Sequence, residues 1–210
     1  MATLTKITAQ RRNQERVNIF LDGEYSFSLS LVTAASLRVG QTLDEAQLAE
    51  LRVEDDYERA KESALTFIAY RPRSMSEVRR KLHDKAFDEA TVERVIQRLS
   101  ELQLVDDAAF ARYWMEQREA FRPRSQTALR QELAQKGVGR EVVDEVLGEL
   151  DERDSAVRAA ERKAAQWANL PQEEFNQKVG AFLQRRGFNY AIIRTAVATL
   201  WEEHGQPNNY

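Results

Sequence analysis

The feature that most constrains this chain is a repetition. Residues 71–74 read Arg-Pro-Arg-Ser, and residues 122–125 read the same, 51 positions later. At that offset Val78 aligns with Leu129, Leu82 with Leu133, Lys85 with Lys136, Ala86 with Gly137 and Phe87 with Val138. Val92, Val95, Ile96 and Leu99 then align with Val143, Val146, Leu147 and Leu150. A third, weaker copy follows 50 residues on, in which Leu183, Arg186, Gly187, Phe188, Ile193, Ala196, Val197 and Leu200 continue the columns. In that copy the proline has slipped by two places and Arg-Pro-Arg-Ser is lost. Apolar columns at helical spacing, repeated with a period near 50, predict tandem copies of one supersecondary unit. Each copy carries a lead helix (about 57–70, 108–121 and 155–168), a proline break, a short charged helix, a small-residue turn and a more apolar third helix. Ser74 and Glu77 have capping-box spacing, Ser125 can cap the equivalent helix, and Lys136-Gly137 and Arg186-Gly187 have the composition of helix C-caps. So small a unit has little core of its own, so neighbours must bury each other's faces. The expected fold is mainly α: three tandem three-helix repeats (57–106, 107–154 and 155–204) in an elongated curved array, with a tail at 205–210.

The first 56 residues are patterned differently. In "RVNIFLDGEYSFSLS" the pair Asp22-Gly23 separates two runs rich in Val, Ile, Phe and Tyr, the strongest short signal for a β-hairpin. "TLTKITAQ" alternates less cleanly and can add a third strand. From about residue 31 the period becomes helical. Residues 1–56 are therefore expected to form a β-hairpin plus a helical segment, dispensable for the fold of the repeats.

No catalytic, cofactor or metal site is expected. The sequence has no cysteine, which removes disulfides and thiolate ligands and fits a reducing cytoplasm. His83 and His204 are isolated, and Asp55-Asp56 and Asp106-Asp107 sit where helix starts favour acids. Phosphate-loop, dinucleotide and nucleophile-elbow motifs are absent. No apolar run approaches the roughly 20 residues of a membrane span. What recurs instead is a basic stripe: Arg71, Arg73, Arg79, Arg80 and Lys85 in the first copy, Arg122, Arg124, Arg130 and Lys136 in the second, Arg185 and Arg186 in the third. Arginine's planar fork suits carboxylate and phosphate alike, so the stripe does not choose between an acidic protein and a nucleic acid. With a net charge of −3 the chain is not a bulk DNA-coating protein, and any basic surface must be local. Tyr113, Trp114, Trp167 and Trp201 lie on helices at core-like spacing, with base stacking as the alternative.

"RPRSMSEVRRKL", "LQLVDDAAFARYWMEQRE" and "RPRSQTALRQELAQKGV" together resemble the RecX regulatory proteins over residues 57 to about 204, and the front segment is similar to an N-terminal extension found in some members. The resemblance implies a non-enzymatic, monomeric, cytoplasmic modulator of the RecA recombinase in DNA repair, recombination and the SOS response. Such a protein would lie in the helical groove of the RecA–single-stranded DNA filament and inhibit ATP hydrolysis, strand exchange and co-protease activity. Single- and double-stranded DNA would be weaker partners, the membrane none. Ala86 departs from the pattern, standing where the turn usually has glycine. Two other classes remain: a stand-alone nucleic-acid-binding module of helix-turn-helix-like repeats, and a helical scaffold for another protein.

Overall fold

The computed structural model describes residues 1–205, so the expected tail lies, from residue 206 on, outside the described residues. The chain is mainly helical, with a small N-terminal sheet followed by three-helix domains in tandem. It divides into two compact units: residues 1–71 with 77–105, and residues 72–76 with 106 onward.

The first unit opens with strands β1 (Ala2–Ala9), β2 (Arg16–Leu21) and β3 (Glu24–Ser30), a four-residue helix α1 (Leu31–Ala34) and a short strand β4 (Thr42–Leu43). All pairings are antiparallel, in the order β3-β2-β1-β4. The β2–β3 turn is Asp22-Gly23, with φ of 51° and 91°, the left-handed pair of a type I′ hairpin. Leu4, Val17, Ile19 and Leu29 point to one buried face, as period-2 patterning requires. Strand β1 is the third strand that "TLTKITAQ" allowed, and the sheet exceeds that reading only by β4, two residues too short to leave a pattern.

Helix α2 (Glu45–Ala69) begins at a capping box between Asp44 and Gln47 and runs unbroken past residues 56 and 57. It is tied to the sheet through Asp55, which is buried. Its carboxylate accepts from the Arg16 guanidinium at 3.0 Å and from the Ser30 backbone N–H at 2.5 Å. Tyr57, Ala60 and Ala64 of α2 are buried with Val78 and Leu82 of α3 (Met75–His83) and Val92, Val95, Ile96 and Leu99 of α4 (Glu89–Glu101).

In the second unit, α5 (Asp107–Phe121), α6 (Gln126–Gln135) and α7 (Arg140–Gly148) close around Phe110, Leu129, Leu133, Val143, Val146 and Leu147. Helices α8 (Glu152–Trp167), α9 (Gln172–Arg185) and α10 (Tyr190–His204) close around Ala160, Phe175, Leu183, Phe188, Val197 and Leu200. The aligned apolar columns are these cores, and each fully buried leucine contributes about 1.5–3 kcal/mol. Ser125 caps α6 through the Ala128 N–H at 3.1 Å, and Asp106 and Asp151 cap α5 and α8.

Candidate interface for an anionic partner

The repeated tetrapeptide sits in joints within the second unit. Ser74 and Ser125 are fully buried. Ser74 Oγ donates to the Lys136 carbonyl at 2.6 Å, and the Ser125 N–H donates to the Arg186 carbonyl at 3.3 Å. Each serine thus meets the turn that closes the next short helix. At those turns Gly137 and Gly187 have φ of 76° and 90°. A Cβ on Gly137 would overlap the Ser76 side chain, and one on Gly187 would come within 2.7 Å of Ser125 Oγ. Ala86 occupies the same column with φ of 62° and is exposed. A second recurring contact lies beside the first. The Met75 N–H donates to Asp107 at 2.9 Å and the Gln126 N–H to Glu152 at 3.0 Å, an acid at the start of the following lead helix in both cases.

Several basic residues of the stripe are held by acids of the chain. Arg71 makes a double hydrogen bond with Glu77, at 3.0 and 3.3 Å, and Arg79 reaches Glu93 at 2.5 Å. Arg124 lies 3.2 Å from Glu132, which also accepts from Arg118 and from the Trp114 indole N–H, and Arg130 reaches Asp144 at 2.8 Å. Arg73 is half-buried. Lys136 is the C-cap of α6 with its ammonium over the Trp114 ring, and Arg186 caps α9 over the Phe182 ring while donating to the Pro123 carbonyl at 3.2 Å. Trp201 packs edge-on against Phe175. Among the described residues Arg80, Lys85, Arg122 and Arg185 are exposed and make no ion pair.

Two clusters remain where cations converge without equal countercharge. In the first unit, Arg16, Arg59, Lys81 and Lys85 line an open groove of about 660 Å³ against one acid, Glu62. Their positions are fixed from below. Asp55 holds Arg16, Asp56 holds Arg59 over the Phe87 ring, and the Phe67 ring lies under Lys81. Ser63 Oγ, on the same wall, is buried without a hydrogen-bond partner. Lys81 and Lys85, which make no ion pair among the described residues, leave this groove a local positive excess of the kind that suits oxyanions, carboxylate or phosphate. In the second unit, Arg122 and Arg124 lie close enough to Arg186 to act on its charge. Burial foremost, and then those two neighbours, pushes the Arg186 guanidinium down from its ordinary value. The sequence pointed to Lys85 but not to Arg16, Arg59 or Lys81, which come from β2, α2 and α3. Its one legible trace was Arg59, Ser63, Thr66 and Tyr70 at helical spacing along a single face of α2.

Four family signatures tile the chain in order. The regulatory protein RecX N-terminal domain matches residues 2–44, and the first, second and third RecX three-helix domains match 60–99, 106–147 and 151–197. The chain is 34% identical to the regulatory protein RecX of Clostridium beijerinckii over 94% of this chain and 95% of that one. It is 32% identical to that of Bacillus licheniformis over 94% of this chain and 77% of the other. A crystal structure of regulatory protein RecX superposes with a TM-score of 0.72 at 29% identity, covering 92% of this chain and 98% of that one. RecX from Lactobacillus salivarius shares the fold at a TM-score of 0.63 and 23% identity, over 70% of this chain and 97% of its own. Among the described residues no helix is long and apolar enough to cross a membrane.

Proposed function

The chain belongs to the RecX family of regulatory proteins, and on that premise we propose that it binds the RecA–single-stranded DNA filament in its helical groove and inhibits RecA ATP hydrolysis, strand exchange and co-protease activity. The observation that carries the reading is the coexistence of tandem repeats with cations left open at Lys81, Lys85 and Arg122. A filament presents its own acidic and phosphate groups at regular intervals. Several weak contacts on a repeating ligand add by avidity, and a protein that bridges protomers opposes the subunit motion that ATP turnover needs. The protein acts without catalysis of its own and without a cofactor.

The test measures RecA ATP hydrolysis on single-stranded DNA with increasing amounts of the full chain, beside fluorescence anisotropy on the bare oligonucleotide. Stoichiometric protein should suppress hydrolysis at concentrations where it leaves the oligonucleotide largely free. Lys81→Ala, Lys85→Ala and Arg122→Ala combined should weaken inhibition about tenfold or more with little change in melting temperature, since charge-assisted contacts carry about 1.5–3 kcal/mol each. Unaltered hydrolysis with the parent protein would sink the reading. Tight, steeply salt-dependent binding to the bare oligonucleotide would replace it by the nucleic-acid module.

A further inference from the structure

The third repeat differs from the other two at one pair of columns. In the first, Arg79 of α3 bridges to Glu93 of α4, and in the second, Arg130 of α6 bridges to Asp144 of α7. In the third, the arginine column holds Gly180 and the acid column holds Arg194. The bridge is gone, and Arg194 is exposed with no ion pair among the described residues. A groove of about 630 Å³ opens between α9 and α10, with Gly180, Phe188, Ile193, Val197 and Trp201 along its floor. Sterics do not demand glycine there. A Cβ on Gly180 would meet only the Ile193 side chain, at an ordinary 3.6 Å. A helix-interior glycine without a packing reason gives up stability, and what it leaves open is this groove.

We propose that the α9–α10 groove is a docking site for a protein segment that carries a carboxylate beside an apolar side chain, the carboxylate pairing with Arg194 and the apolar group lying over Ile193 and Val197. One observation selects that occupant. The sign of the open charge is inverted relative to the acids at the same column, so the missing half of the bridge is an anion. Asn176 is exposed on the groove wall as a further donor, and Glu202 is the one acid on the lining.

The inference rests on the RecA reading for the protein that supplies the segment, so the probe is RecA-coated single-stranded DNA. Gly180→Arg combined with Arg194→Asp rebuilds the bridge of the second repeat. That variant should melt no lower than the parent and bind the filament about tenfold more weakly or worse, a loss unfolding cannot explain. Arg194→Glu should lose a similar factor, and Arg194→Lys should retain most of the affinity. Tyr190 is 78% exposed at the groove wall, and a photo-crosslinking p-benzoylphenylalanine there should mark a recombinase segment with Asp or Glu within one helical turn of an apolar residue. Binding by the rebuilt variant as tight as the parent's would overturn the proposal, as would crosslinks to DNA or to a second copy of this chain. Failure of the parent itself to bind the filament would overturn the RecA reading and this inference with it.

Discussion

At the scale of the residue, one column of the repeat separates two demands that sequence alone merges. Positions 86, 137 and 187 all follow a short helix in the left-handed region, at φ of 62°, 76° and 90°. Composition made Gly137 and Gly187 legible as C-caps. It could not show that Ser76 and Ser125 press on two of the three turns, because those serines are about 60 residues away in the chain. Ala86 needs only the backbone conformation. Ala86→Gly should therefore raise stability by about 0.5–1 kcal/mol, since the left-handed cost disappears and no contact is lost. Gly137→Ala should lower it by about 2–4 kcal/mol, adding overpacking against Ser76 to the same backbone strain. Gly139→Ala, which meets nothing within 4 Å, is the control in thermal unfolding. Equal effects at 86 and 137 would show that the joint does not constrain the turn.

At the scale of the element, the repeat placed the lead helices of its second and third copies to within a few residues, whereas the helix expected at 57–70 is the second half of α2. The helical period of "TLDEAQLAELRVEDD" was legible, but its continuity with the lead helix was not, because its apolar residues, Leu51 among them, pack against the sheet rather than the repeat. Pairs that cross columns were not legible either, since sequence gives no reason for Arg79 to choose Glu93. Glu93 and Asp144 are both held below the usual carboxylate range, chiefly by hydrogen bonds from Arg79 and Arg130. A depressed carboxyl group stabilises the fold above its unfolded value and loses that contribution as pH falls through the folded one. Glu93→Gln should therefore melt below the parent at neutral pH, and the gap should close as pH drops beneath about 4. A gap that persisted in acid would mean that the side chain acts by packing rather than by charge. Asp55 offers a second check. Asp55→Asn should cost about 2 kcal/mol in the full chain, because Arg16 and the Ser30 N–H lose their charged acceptor. After removal of residues 1–44, the same substitution should be neutral or mildly stabilising, because the partners are already gone. A full cost in the shortened chain would detach Asp55 from the sheet.

At the scale of the whole molecule, three-helix domains in tandem were legible because a period survives substitution so long as the columns keep their character. The site was legible only as a list of cations. Which of them the fold neutralises depends on acids contributed by other elements, as Glu77, Glu132 and Asp144 show. The joints carry a consequence of their own. A plug on one copy that fits a socket on the next is a heterologous contact that does not close, and such contacts between identical molecules propagate into fibres. Here neither terminal copy offers its half. The first copy's socket carries the methyl of Ala86, where Gly137 and Gly187 carry none. The third copy has Phe175 in the column of Ser74 and Ser125, buried in its own core against Trp201 rather than offered outward. Two apolar substitutions thus remove the half-contacts through which copies of this molecule would otherwise stack end on end.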